Sequence, residues 1–96
     1  MPGVVSTVLR RKVMIVNRLG LHARPSAALT QLATRFAAEV FLSKGTRRVN
    51  GKSIMGVMML AAGIGTEVEV ETDGVQEEVA MQALLDLITD KFGEGE

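Results

Sequence analysis

The run Glu67-Val68-Glu69-Val70-Glu71 alternates charged and apolar side chains without a break. Successive side chains of a strand point to opposite faces, so this run describes a strand with one wet and one buried face. A sheet built from such strands is antiparallel and needs cover on one side only. Two stretches of helical period can supply that cover. Leu29, Leu32, Ala33, Phe36 and Ala37 recur on one face of a helix that begins near Pro25. Val79, Ala80, Ala83, Leu84, Leu87 and Ile88 do the same after the turn at Asp73-Gly74.

The remaining segments fit around these. Val13 to Val16 suits a strand, with Arg10 to Lys12 at its solvated start. Glu39 to Leu42 is a short strand, Ser43-Lys44-Gly45-Thr46 turns the chain, and Arg47 to Asn50 returns as a hairpin partner. Ser53 stands where an N-cap belongs, before a short apolar helix from Ile54 to Leu60. The order is β-α-β-β-α-β-α. The natural solution is an α+β fold, an antiparallel sheet with helices packed on one face.

A chain of 96 residues is one domain, spanning 1–96, with no internal repeat or linker. Residues 1–7 read as an N-terminal extension and residues 93–96 as a tail that frays. The chain has no Cys, which excludes a disulfide scaffold, and a single His, which argues against a metal site. No cofactor is implied. Trp and Tyr are absent, against base stacking on nucleic acid. The longest apolar run, Ile54 to Ile64, is too short to span a membrane, and the start lacks the charge order of a secretory signal. The reading is a cytoplasmic protein.

Zero net charge hides an asymmetry. Residues 1–53 hold ten Lys and Arg against Glu39 alone, a sum of +9; residues 54–96 hold Lys91 against ten acids, a sum of −9. Either the halves lie against each other and compensate, or one face keeps a positive field for an anionic ligand or acidic partner. Global neutrality argues against general DNA binding.

His22 lies in Gly20-Leu21-His22-Ala23-Arg24-Pro25, just before the first helix. A lone His is commonly a surface or satisfied residue, but its position here is informative. The first-turn N–H groups of a helix have no intrahelical partners, and the dipole adds about half a positive charge there. Arg24 adds a whole charge, with a fork of donors matched to phosphate oxygens. Pro25 fits the first turn, where a missing N–H loses nothing. The arrangement suits His22 as a nucleophile and as a phosphohistidine. No acid sits near His22 in sequence to make it a general base, so a hydrolytic triad is disfavoured. The chain would accept a phosphoryl group and hand it on, with other proteins supplying the catalysis.

The helix from Ile54 carries six apolar residues and one Gly over 54–60. A helix lying on a sheet buries only part of its circumference. Either all of these pack inside, or some of Ile54, Met55, Met58 and Met59 face a partner, a use to which Met is suited. Ser53 is the N-cap by its place; a phosphate there would also suit the helix N-terminus and put negative charge beside that patch.

The stretches Gly20-Leu21-His22-Ala23-Arg24-Pro25-Ser26-Ala27 and Asn50-Gly51-Lys52-Ser53-Ile54-Met55-Gly56-Val57-Met58 resemble the HPr family, the histidine-containing phosphocarriers of the bacterial phosphotransferase system, and its nitrogen-branch relatives. The resemblance runs from about Val8 to Lys91. It implies an open-faced β-sandwich, a four-stranded antiparallel sheet with three helices on one face. It implies that His22 accepts a phosphoryl group on Nδ1 from enzyme I, charged by phosphoenolpyruvate, and passes it to a histidine of an enzyme IIA domain. By the motif, Arg24 handles the phosphoryl group and Pro25 starts the helix. Leu21, Ile54, Met55 and Met58 fall where the family docks its partners. Ser53 falls at the family's regulatory serine, in surroundings like those of members modified by the HPr kinase/phosphorylase. A carrier presenting one face to two partners in turn is most simply a monomer. Met59 departs from the pattern, since many relatives carry a polar residue there. The competing readings are a regulatory module in which His22 is idle and, more weakly, a small RNA-binding domain.

Overall fold

A computed structural model of the chain describes residues 8–95; the expected extension at 1–7 lies outside them. The elements are β1 (Leu9–Met14), α1 (Ala23–Ala33), β2 (Glu39–Lys44), β3 (Arg47–Asn50), α2 (Ile54–Met59), β4 (Glu67–Asp73) and α3 (Glu77–Thr89). A single 3₁₀ turn follows at Lys91–Gly93. The strands form one antiparallel sheet in the order β1-β4-β2-β3. This is the α+β fold expected, an open sheet with three helices. No helix among the described residues is long and apolar enough to cross a membrane.

The alternation in β4 builds both faces. Val68 and Val70 enter the core with Val40 and Leu42 of β2, under Leu29 and Ala33 of α1, Val57 of α2, and Leu84 and Ile88 of α3. The other face is a charged lattice. Arg10, Glu71, Phe41 and Asn50 form one row across the four strands, and Lys12, Glu69, Ser43 and Arg48 form the next. Like-sided opposite charges on neighbouring strands attract. The compensating reading of the charge asymmetry therefore holds across this open face.

Several boundaries move for physical reasons. β1 begins at Leu9 and ends at Met14, because its partner β4 begins at Glu67, opposite Met14. Ile15 continues as an irregular pairing, its N–H donating to Thr66 O (2.9 Å) and its carbonyl accepting from the Gly65 N–H (2.8 Å). The hairpin turn is shorter than expected, with Ser43 and Lys44 inside β2. α1 starts at Ala23, which puts Pro25 inside the first turn, two residues after the start. α1 also stops at Ala33, before Phe36 and Ala37. Tertiary partners take the groups that would have continued it: the Ala37 N–H donates to Gln76 Oε1 (2.9 Å) and Lys52 Nζ donates to Phe36 O (2.8 Å). Ala37 is exposed as a result. On α3, Val79 is exposed and Met81 is buried in its stead. Val79 lies about 100° of helix rotation before Ala80, on the side away from Met81 and the buried stripe.

Candidate functional site

The segment before α1 is built from a few interlocking bonds. Gly20 adopts φ +66 and lies against the loop after α2, where a Cβ would meet Ala62 O at 2.4 Å. Only glycine fits that left-handed close approach. The Leu21 N–H donates to Ala62 O (2.9 Å), and the His22 N–H donates to Gly20 O (2.9 Å). Ser26 Oγ, buried in α1, donates to Leu21 O (3.1 Å). Asn17 is fully buried, and its Nδ2 donates to Gly20 O (2.8 Å).

These bonds set His22 as the N-cap of α1, with extended backbone. Its carbonyl accepts the Ser26 N–H (3.0 Å) and so begins the helix. Its imidazole makes no capping bond, and the first turn holds no acid. The N–H groups of Ala23 and Arg24 thus lack an intrahelical partner, and Pro25 has none to leave unpaired. The Arg24 side chain is exposed and has no hydrogen bond or ion pair among the described residues. Together with Arg18, Leu19, Phe92 and Glu94, it and His22 line an open depression of ≈510 Å³.

Glu94 is the residue that sequence reasoning missed. Its Oε2 lies 3.1 Å from His22 Nε2, and its Oε1 accepts from Asn17 Nδ2 (3.1 Å). The sequence surrounded His22 with positive charge alone; the fold adds a carboxylate from 72 residues downstream. No motif spacing pointed to it, and the tail expected to fray at 93–96 is where it resides.

The docking candidates divide. Met55 is 67% exposed, Met59 is 59%, and Ile54 and Met58 are also exposed, while Val57 and Leu60 of the same segment are buried. Leu21, by contrast, is only 5% exposed and packs in the core, its N–H tied to Ala62 O. Leu19 and Ile64 are exposed apolar residues that sequence reasoning did not single out. They sit in the two loops joined by the Leu21–Ala62 bond, and α1 packs on α2. Ser53 caps α2, its Oγ accepting the Gly56 N–H (3.1 Å). The other end of α2 is held by cations: Lys44 Nζ donates to Leu60 O (3.2 Å) and Ala61 O (3.1 Å), and Arg47 Nη1 to Met59 O (2.6 Å). Among the described residues, no group of three or more His, Cys, Asp or Glu gathers with metal-holding geometry.

Comparison with known proteins adds the family context. A family model described as "PTS HPr component phosphorylation site" matches residues 9–90. Phosphocarrier protein HPr of Cupriavidus necator is 61% identical over 89 residues, 93% of this chain and all of that protein. Phosphocarrier protein HPr of Neisseria meningitidis serogroup A is 57% identical with the same coverage. Among solved structures, HPr from Thermoanaerobacter tengcongensis superposes with a TM-score of 0.86 at 43% identity, covering 90% of this chain and 97% of that one.

Proposed function

The chain belongs to the HPr family of phosphocarriers of the phosphotransferase system, and from that premise we propose that His22 is its phosphoryl acceptor. Nδ1 attacks the phosphorus of a phosphohistidine on enzyme I, itself charged by phosphoenolpyruvate. The donor P–N bond breaks and its electron pair returns to the donor ring. The same chemistry in reverse passes the group to a histidine of an enzyme IIA domain. The observation that carries this reading is the N-cap position: the imidazole is partly exposed, uncommitted to capping, and next to N–H groups and a guanidinium that have no partner among the described residues.

Each neighbour has a role in the proposal. Arg24 meets the phosphoryl oxygens with its fork of donors. The open N–H groups and the helix dipole favour the added negative charge. Pro25 stiffens the first turn. Ile54, Met55 and Met58, with Leu19 and Ile64 beside them, form the apolar surface on which enzyme I and enzyme IIA dock in turn. Ser53 is a regulatory position for a protein kinase of the HPr kinase/phosphorylase type, since phosphate at this cap would sit beside the docking residues. The carrier works in the cytoplasm as a monomer.

The test is intact-mass spectrometry after incubation with phosphoenolpyruvate and purified enzyme I. We expect the gain of one phosphoryl group that brief acid treatment removes, because a phosphoramidate is acid-labile and the chain has one His. His22→Ala should gain none and keep its circular dichroism spectrum. Normal acceptance by His22→Ala would sink the assignment, and Arg24→Ala should accept more slowly than the parent chain.

A further inference from the structure

The last turn of the chain adopts a conformation that most residues avoid. Lys91 (φ 55) and Phe92 (φ 56) are both left-handed, and Gly93 (φ 76) follows. Two consecutive non-glycine residues in this region are disfavoured by sterics and persist only where surroundings hold them. Here the Phe92 ring is buried in the core. The Gly93 N–H donates to Asp90 O (3.0 Å) and the Glu94 N–H to Lys91 O (2.9 Å). The result is to deliver Glu94 to the loop before α1.

Both oxygens of that carboxylate are engaged there. Oε1 accepts from the amide of Asn17, which is fully buried and is itself fixed by Gly20 O. Oε2 faces His22 Nε2 at 3.1 Å, and the Glu94 side chain is only 18% exposed. An ionised carboxylate can only accept, so this contact favours the tautomer of a neutral ring that carries its proton on Nε2. The lone pair is then on Nδ1, which has no hydrogen-bond partner among the described residues.

We infer that Glu94 is a positioning residue for phosphoryl transfer: anchored by Asn17, it holds the proton of His22 on Nε2 and so presents Nδ1 as the nucleophile. This rests on the reading of His22 as the acceptor. In the step, the Nδ1 lone pair forms the new P–N bond and the donor's P–N bond breaks. Nε2 keeps its proton throughout, and the positive charge that develops on the ring is met by the carboxylate. On transfer outward, the P–Nδ1 bond breaks, its electron pair returns to Nδ1, and the ring leaves as neutral imidazole with its Nε2–H intact. A carboxylate behind an imidazole fixes the tautomer and stabilises the charged ring in the same way in hydrolytic triads.

The test uses the full-length chain, labelled with ¹⁵N, and the ring signals of its one histidine at a pH where the ring is neutral. In the parent protein we expect the Nε2–H tautomer alone. Glu94→Ala should move the ring signals toward the tautomer mixture of a free imidazole. With phosphorylated enzyme I, Glu94→Ala should accept the phosphoryl group roughly tenfold more slowly, the scale of one lost charge-assisted hydrogen bond. Glu94→Gln, which keeps an acceptor oxygen without the charge, should fall between. Ring signals unchanged in Glu94→Ala would overturn the proposal, whether or not transfer slowed, since slowing alone would assign Glu94 to partner contact. An unchanged rate would overturn it as well. A parent chain that accepts no phosphoryl group would instead overturn the acceptor reading itself, and the ring signals would report on Glu94 separately.

Discussion

Glu71 lies between two guanidinium groups on the open face of the sheet, with Arg48 Nη2 at 2.8 Å and Arg10 Nε at 3.5 Å. Its side chain is 8% exposed, and the Arg48 guanidinium also stacks over the Phe41 ring at 3.7 Å. The hydrogen bond from Arg48 holds the Glu71 carboxyl below its ordinary value, against the opposing effect of burial, with the charges of Arg48 and Arg10 adding to it. The unfolded chain therefore binds this proton more readily than the folded one, and stability rises with pH through the window. The contribution is complete above the ordinary carboxylate value of about 4.3 and is lost as pH falls through the lower folded value. Glu71→Gln should flatten that part of the acid-unfolding profile and lower stability at neutral pH. Urea titrations across the acid range check this, and an unchanged slope would mean that the pairs contribute nothing. Alternation in the sequence marked Glu71 as a wet-face residue. Its burial came from neighbours on β1 and β3, which no local pattern contains.

At the scale of elements, α2 is the piece least able to stand alone. It has six residues, one of them Gly56, and isolated helices of that length are not stable in water. Its stability is borrowed: Val57 and Leu60 are buried, Ser53 satisfies one end, and Lys44 and Arg47 satisfy the other. Cations at a helix C-terminus also complement the dipole. The exposed apolar residues of α2 thus rest on two basic side chains of the β2–β3 hairpin. Replacing both by Met should speed amide exchange within residues 57–61 about fivefold, for a loss of roughly 1 kcal/mol in partly exposed bonds. Amides in the middle of β4 should hardly change. Equal protection of α2 in the variant would refute the borrowed stability. The helix and its cap were legible from Ser53 and the apolar run. The cations were visible as charge, but their target was not.

At the scale of the molecule, the tail closes the fold. Phe92 is buried in the same core as Leu29 and Leu84, although it follows the last helix. Phe92→Ala should lower the unfolding free energy by about 3 kcal/mol, the lower end for a buried ring. It should also release Glu94 from His22, seen as a change in the ring signals of His22. A variant of parental stability would show that the tail is not part of the core. The charge asymmetry resolves at this scale too. Arg10 and Arg48 meet Glu71, Lys44 and Arg47 meet the end of α2, and Lys52 meets Phe36 O. Arg24 is left beside His22 with no such partner among the described residues. The charges therefore compensate at Glu71, while the Arg24 charge stays exposed beside His22 and Glu94.

The element order, the covered and open faces of the sheet, the cap at Ser53 and the segment around His22 were all legible along the chain. Those properties depend on periodicity, turn chemistry and helix-end chemistry, which act over a few residues. The end of α1, the burial of Leu21, the exposure of Val79 and the place of Glu94 behind His22 were set by packing. Each of these depends on which backbone or side-chain group meets a partner distant along the chain, and such meetings exist only once the sheet and helices have packed.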